Sequence, residues 1–243
     1  MPEHIDEGRL SPFDRKEVTI SWRGDGAYVA MNSVDVADDS ERRMIRVFTR
    51  EGQLDSVTEP VDGLEGALSW RPAGNLVASI QRLQDRVDVI FFERNGLRHG
   101  QFTLRLSQDD MRTWAAAISV AWNVDSSVLA VTFLDRIQLW TMGNYHYYLK
   151  QEILLPPDVD PVQVTWHSEK ALYLTASSRQ TLLVLNYVMA IAGGSASSPH
   201  DIGLIGVVDG RTIKLTPLRL ANVPPPMALM DVGVSQNLSL IHI

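Results

Sequence analysis

Cysteine is absent from this chain. No disulfide can staple the fold, and no thiolate can hold zinc or an iron–sulfur cluster. The absence is compatible with a reducing compartment. A long apolar run is missing too. The longest, residues 182–192, is interrupted by Asn186 and is about half of the roughly 20 residues a bilayer crossing needs. It reads as buried strand, or strand plus turn, and no membrane partner is expected. Met1 to Arg15 is charged and has no apolar segment of the kind a secretory signal carries. Without one, the sequon Asn237-Leu238-Ser239 reads as chance.

Catalytic and ligand motifs are equally scarce. The six histidines, His4, His99, His146, His167, His200 and His242, show no metal-ligand spacing such as H-x-x-x-H. No G-x-S-x-G elbow, P-loop or G-x-G-x-x-G occurs. Gly24-Asp25-Gly26 reads as a turn, Gly193-Gly194-Ser195 as a loop. Asp38-Asp39 and Asp109-Asp110 read as solvated pairs. We therefore expect no catalytic residue, no cofactor, no metal site and no enzyme. The net charge of −7 is unsuited to binding nucleic acid through the whole surface. Arg42, Arg43, Arg46 and Arg50 are the one candidate basic patch, although solvated strand positions explain them as well.

What the chain does have is a repeat. Ile20-Ser21-Trp22, Leu68-Ser69-Trp70, Val120-Ala121-Trp122 and Val164-Thr165-Trp166 are copies of one pattern, 48, 52 and 44 residues apart. Each Trp is followed by a polar turn, then an apolar pair: Val29-Ala30, Val77-Ala78, Leu129-Ala130, Tyr173-Leu174. Strand, tight turn and strand at this period predict blades of an all-β, WD-repeat-like β-propeller. A third strand is expected around Met44 to Phe48, Val87 to Phe92 and Ile137 to Trp140. Trp140 stands where many WD repeats carry the Trp of their Trp-Asp pair. Trp22, Trp70, Trp122, Trp166 and Trp140 are thus structural blade residues, each burying a large apolar area between neighbouring sheets. A helical turn is expected in 108–117. A connector with three prolines is expected over 154–161 and a flexible loop over 193–199. The fourth unit is less regular and runs on into a hairpin around Asp209-Gly210. Four to five blade equivalents are visible, and a fragment of a larger propeller pair is expected.

Particular segments go further than a generic repeat. Gln138-Leu139-Trp140-Thr141-Met142-Gly143-Asn144-Tyr145-His146-Tyr147-Tyr148-Leu149-Lys150-Gln151 closely resembles a signature stretch of the largest-subunit family of the Elongator complex. Thr19 to Gly26, Ala67 to Pro72, Phe91 to Gly100, Trp122 to Val131, Val207 to Gly210 and Asn222 to Met227 follow in the same order. The resemblance spans roughly residues 10–230.

The resemblance implies a non-catalytic scaffold in a complex that modifies the wobble uridine of certain tRNAs, installing 5-carboxymethyl-type side chains at U34. It implies other Elongator subunits as partners, chiefly the catalytic radical-SAM acetyltransferase. tRNA would be met only through the intact complex. The family's helical dimerisation region is not in this chain. It implies a cytoplasmic location, with the nucleus as a second site. It divides the chain into later blades of a first propeller (1–175) and closing strands with the start of a second (176–230). Residues 231–243 are expected to be a non-native or disordered tail. The alternative is a generic WD-repeat adaptor in another assembly.

Overall fold

The computed structural model describes residues 6–37, 40–113, 118–155, 163–179, 181–189 and 200–238. The expected loop at 193–199, most of the connector at 154–161 and residues 239–243 lie outside them. The described residues form five antiparallel sheets.

The first blade is β1 (Thr19–Trp22), β2 (Tyr28–Ala37), β3 (Ser40–Thr49) and β4 (Leu54–Val57), in that spatial order. The second is β5 (Ser69–Trp70), β6 (Leu76–Arg82), β7 (Val87–Glu93) and β8 (Arg98–Thr103). A short helix, α1 (Gln108–Thr113), leads to the third: β9 (Ser119–Trp122), β10 (Val128–Thr132), β11 (Arg136–Gly143) and β12 (His146–Leu154). The fourth blade shows β13 (Gln163–Trp166), β14 (Tyr173–Ser177) and β15 (Leu182–Asn186). The first strands β1, β5, β9 and β13 lie side by side. Meanders radiating from adjacent inner strands are the arrangement of a β-propeller.

Burial follows blade position. In the second blade β6 and β7 are buried on both faces, because sheets cover them on either side. Val77, Ala78 and Ile80 of β6 and Val87, Val89, Ile90, Phe91 and Phe92 of β7 supply the apolar part of this burial, and Ser79, Gln81, Arg82 and Asp88 are buried among them. In the first and fourth blades β1 and β15 alternate between half-buried and exposed. Three apolar clusters fill the gaps between consecutive blades.

A further regularity is backbone-based. The third strand of each of the first three blades shifts register against the fourth, between Val47 and Phe48, Phe91 and Phe92, and Leu139 and Trp140. The extra residue on the outer strand is Asp55, His99 or Lys150. Such bulges twist an edge strand and re-aim the bulged side chain.

The fifth sheet is β16 (Leu204–Asp209), β17 (Thr212–Pro217) and β18 (Met230–Gly233). It does not prolong the fourth blade, as a continuous reading of the sequence suggests. Its hairpin sits instead against β12, the outer strand of the third blade. Residues 231–233 of the presumed tail belong to β18.

Candidate assembly surface

Three of the four repeated tryptophans obey one rule: each packs on the blade before it. Trp70 is 2% exposed and lies 6.4 Å, ring to ring, from Tyr28 of the first blade. Trp122, 7% exposed, meets Phe91 of the second blade at 6.3 Å. Trp166 packs against the cluster of third-blade residues that includes Val128, Ile137 and Leu139. Trp22 departs from the expected burial, being 53% exposed. The reason is positional, since no described blade precedes β1.

The residue before each Trp completes the joint. Ser21 Oγ accepts the backbone N–H of Trp70 at 2.8 Å, and Ser69 Oγ accepts that of Trp122 at 3.0 Å. The third blade has Ala121 there, with no hydroxyl. Trp166 instead donates its indole N–H to the Ala121 carbonyl at 3.0 Å. Across the turns, Arg23 donates to Asn75, Ala73 N–H to Ser126 Oγ, and Asn123 to the Ala171 carbonyl. Arg23 also pairs with Asp25. That hydrogen bond, with help from the Ala27 N–H, holds the Asp25 carboxyl down at about 2.

Trp140 is fully buried and faces the second blade, 4.7 Å from the Phe102 ring. Phe102 stacks on Tyr147 at 4.3 Å, and Tyr147 stacks on Phe91 at 5.2 Å. Burial in this aromatic wall pushes the Tyr147 phenol up to about 12, against the opposing charge of Arg71.

Polar burial is concentrated where the segment preceding β1 crosses the first two blades. Arg43 is 1% exposed. It donates to Asp14 through Nε at 2.5 Å and Nη2 at 2.7 Å, and to the Glu17 carbonyl and Asn32 Oδ1 at 3.0 Å. Asn32 in turn donates to the carbonyls of Glu65 and Ala67. Glu65 pairs with Arg82 and accepts from Ser11. This corrects the basic patch: Arg43 is an interior ion-pair partner, and Arg46 is tied to Asp35. Neither Asp14 nor Glu65 stood out in the sequence; the clue was period-2 alternation, which turns Arg43 inward while Arg42 faces out.

A cavity of about 470 Å³ under the same segment is lined by Leu10, Phe13, Arg82 and Met111 among others. Two of its polar side chains are engaged: Asp62 accepts the N–H groups of Glu7 and Arg9, and Arg82 pairs with Glu65. His167 caps its own turn, accepting the N–H groups of Glu169 and Lys170. Among the described residues, no group of three or more His, Asp and Glu is placed to hold a metal ion. No described helix is long and apolar enough to cross a membrane.

A family model described as the ELP1 first N-terminal beta-propeller matches residues 1–169. The chain belongs to the Elongator complex protein 1 family. A second model, the ELP1 N-terminal second beta-propeller, matches residues 207–243. Elongator complex protein 1 of Saccharomyces cerevisiae is 48% identical over 98% of this chain, and that of Schizosaccharomyces pombe 44% identical over all of it. The chain spans 18% and 19% of the lengths of these two relatives. The WD40 domain of Toxoplasma gondii coronin aligns with 70% of this chain and 45% of its own, at 7% identity and a TM-score of 0.49. That likeness is too remote to carry an argument.

Proposed function

We propose that the chain is part of a non-catalytic scaffold subunit of the Elongator complex. In this reading it supports modification of the tRNA wobble uridine by organising the catalytic radical-SAM acetyltransferase subunit. The observation that carries it is the family match over 1–169, on a fold whose residues are used for packing blades together. Its buried carboxylates support the same reading, because they are engaged internally: Asp14 with Arg43, Glu65 with Arg82, Asp88 with Arg86 and Asp209 with Arg105. tRNA is met through the assembled complex, in the cytoplasm and also the nucleus. Residues 1–175 supply blades of a first propeller, and 176–230 its closing strands and the start of a second.

The test is purification of the tagged full-length gene product. The radical-SAM acetyltransferase subunit is expected to accompany it in stoichiometric amount. Its consistent absence would sink the reading in favour of a generic WD-repeat adaptor.

A further inference from the structure

The outer edge of the third blade is where the fifth sheet attaches, and the contact is polar and specific. The tip of the β16–β17 hairpin, Asp209 and Gly210, rests on the β12 bulge. Asp209 is 1% exposed. Its Oδ1 accepts the backbone N–H of Leu149 at 3.1 Å, while Gly210 returns an N–H to the Leu149 carbonyl at 2.8 Å. A carboxylate and an amide thus take the place that a neighbouring strand would occupy on an open edge.

Two cations close the joint. Arg105, from the segment after β8, donates to Asp209 Oδ2 at 2.5 Å and to the Asp209 carbonyl at 3.1 Å. Lys150, the residue the bulge displaces, donates to the Val208 carbonyl at 2.7 Å. Burial lowers the Lys150 ammonium from its ordinary value, and the nearby Asp209 charge opposes that shift. Gly210 has φ +63°, and a Cβ there would come within 3.2 Å of Asn237 Oδ1 and 3.4 Å of Leu149 Cδ2. The equivalent bulge residues of the other blades do something else: Asp55 pairs with Arg94, and His99 with Glu93.

We propose that the Asp209–Gly210 turn is a latch that locks the β16–β18 unit onto the third blade, so that the two move as one rigid body. Units joined by small polar contacts ordinarily move against each other. Here a charge-assisted pair whose carboxylate is buried sets the angle, with the backbone of Leu149 held on the other side. The β12 bulge is the socket, and Lys150 is the residue it presents.

The chain has no native cysteine, so two introduced ones can be labelled cleanly. Spin labels at Val124→Cys, in the β9–β10 turn of the third blade, and Met230→Cys, on β18, report the distance between the two units in the 243-residue chain. One narrow distance distribution is expected. Asp209→Asn, which keeps shape but loses charge, is expected to broaden it about twofold or more. Lys150→Met should broaden it as well, whereas His99→Ala, at the unused bulge of the second blade, should leave it narrow. If Asp209→Asn loses its far-ultraviolet β signature, Lys150→Met decides the matter. A distribution as narrow in the decisive variant as in the parent overturns the latch, and so does a parent distribution already as broad as the variants.

Discussion

Removing the Asp14 carboxylate should be among the most damaging single changes in the first two blades. Arg43 is buried, and two of its nitrogens, Nε and Nη2, have Asp14 as their partner. In Asp14→Ala the guanidinium keeps the Glu17 carbonyl and Asn32 Oδ1 but has two donors without acceptors, in a place water does not reach. Breaking a buried pair from one side costs about 3–5 kcal/mol, because the surviving charge stays desolvated. In a chain of this length each kcal/mol lowers the midpoint by roughly 2–4 °C, so a fall of about 6–20 °C is expected. Urea unfolding followed by tryptophan fluorescence and far-ultraviolet circular dichroism would read the loss, with the m-value unchanged. Replacing both partners, Asp14→Leu with Arg43→Met, should cost clearly less than the sum of the two single changes, since no lone charge is left behind. The exposed pair Lys16–Glu41 is the internal contrast: Glu41→Ala should cost about 1 kcal/mol or less. The reasoning is refuted if Asp14→Ala is as mild as Glu41→Ala, or if the double change costs the full sum.

Trp122→Ala should cost about 3–5 kcal/mol, as expected for a large aromatic in a filled gap, whereas the exposed Trp22→Ala should stay within about 0.5 kcal/mol; equilibrium unfolding of both variants measures the contrast. Ser69→Ala removes the acceptor of the Trp122 N–H and should cost about 0.5–1.5 kcal/mol, and a thermal melt no different from the parent would contradict the joint between blades. Nuclear magnetic resonance titration of Asp25 should give a midpoint of about 2, moving up towards the usual aspartate value in Arg23→Ala. Because the folded carboxyl is depressed, its contribution is in full force above the unfolded value and fades as pH falls towards about 2.

The blades were legible because their signals are local. A Trp before a polar turn and an apolar pair after it marks two strands and their register, and Trp70, Trp122 and Trp166 each lie between two blades. Trp22 shows what such a signal omits: a packing residue also needs a neighbouring blade, and sequence pattern does not supply one. Ser21 and Ser69 were readable in principle, as the residue before Trp in successive copies. The shared bulge at Asp55, His99 and Lys150 was not, since three unlike side chains mark one backbone feature. The Arg43–Asp14 pair spans 29 residues and the Arg105–Asp209 pair 104. Partners so far apart carry no periodic trace, and a buried arginine looks like a solvated one until the chain folds. The Asp209-Gly210 turn was visible as a turn, while its seat on β12 is a tertiary fact.

The central claim, that this chain serves wobble-uridine modification as a scaffold, is tested most directly in the tRNA itself. Mass spectrometry of total tRNA nucleosides from cells lacking the gene should show loss of 5-carboxymethyl-type side chains at the wobble uridine, restored by the full-length gene. Unchanged levels of those nucleosides in the deleted cells would contradict it.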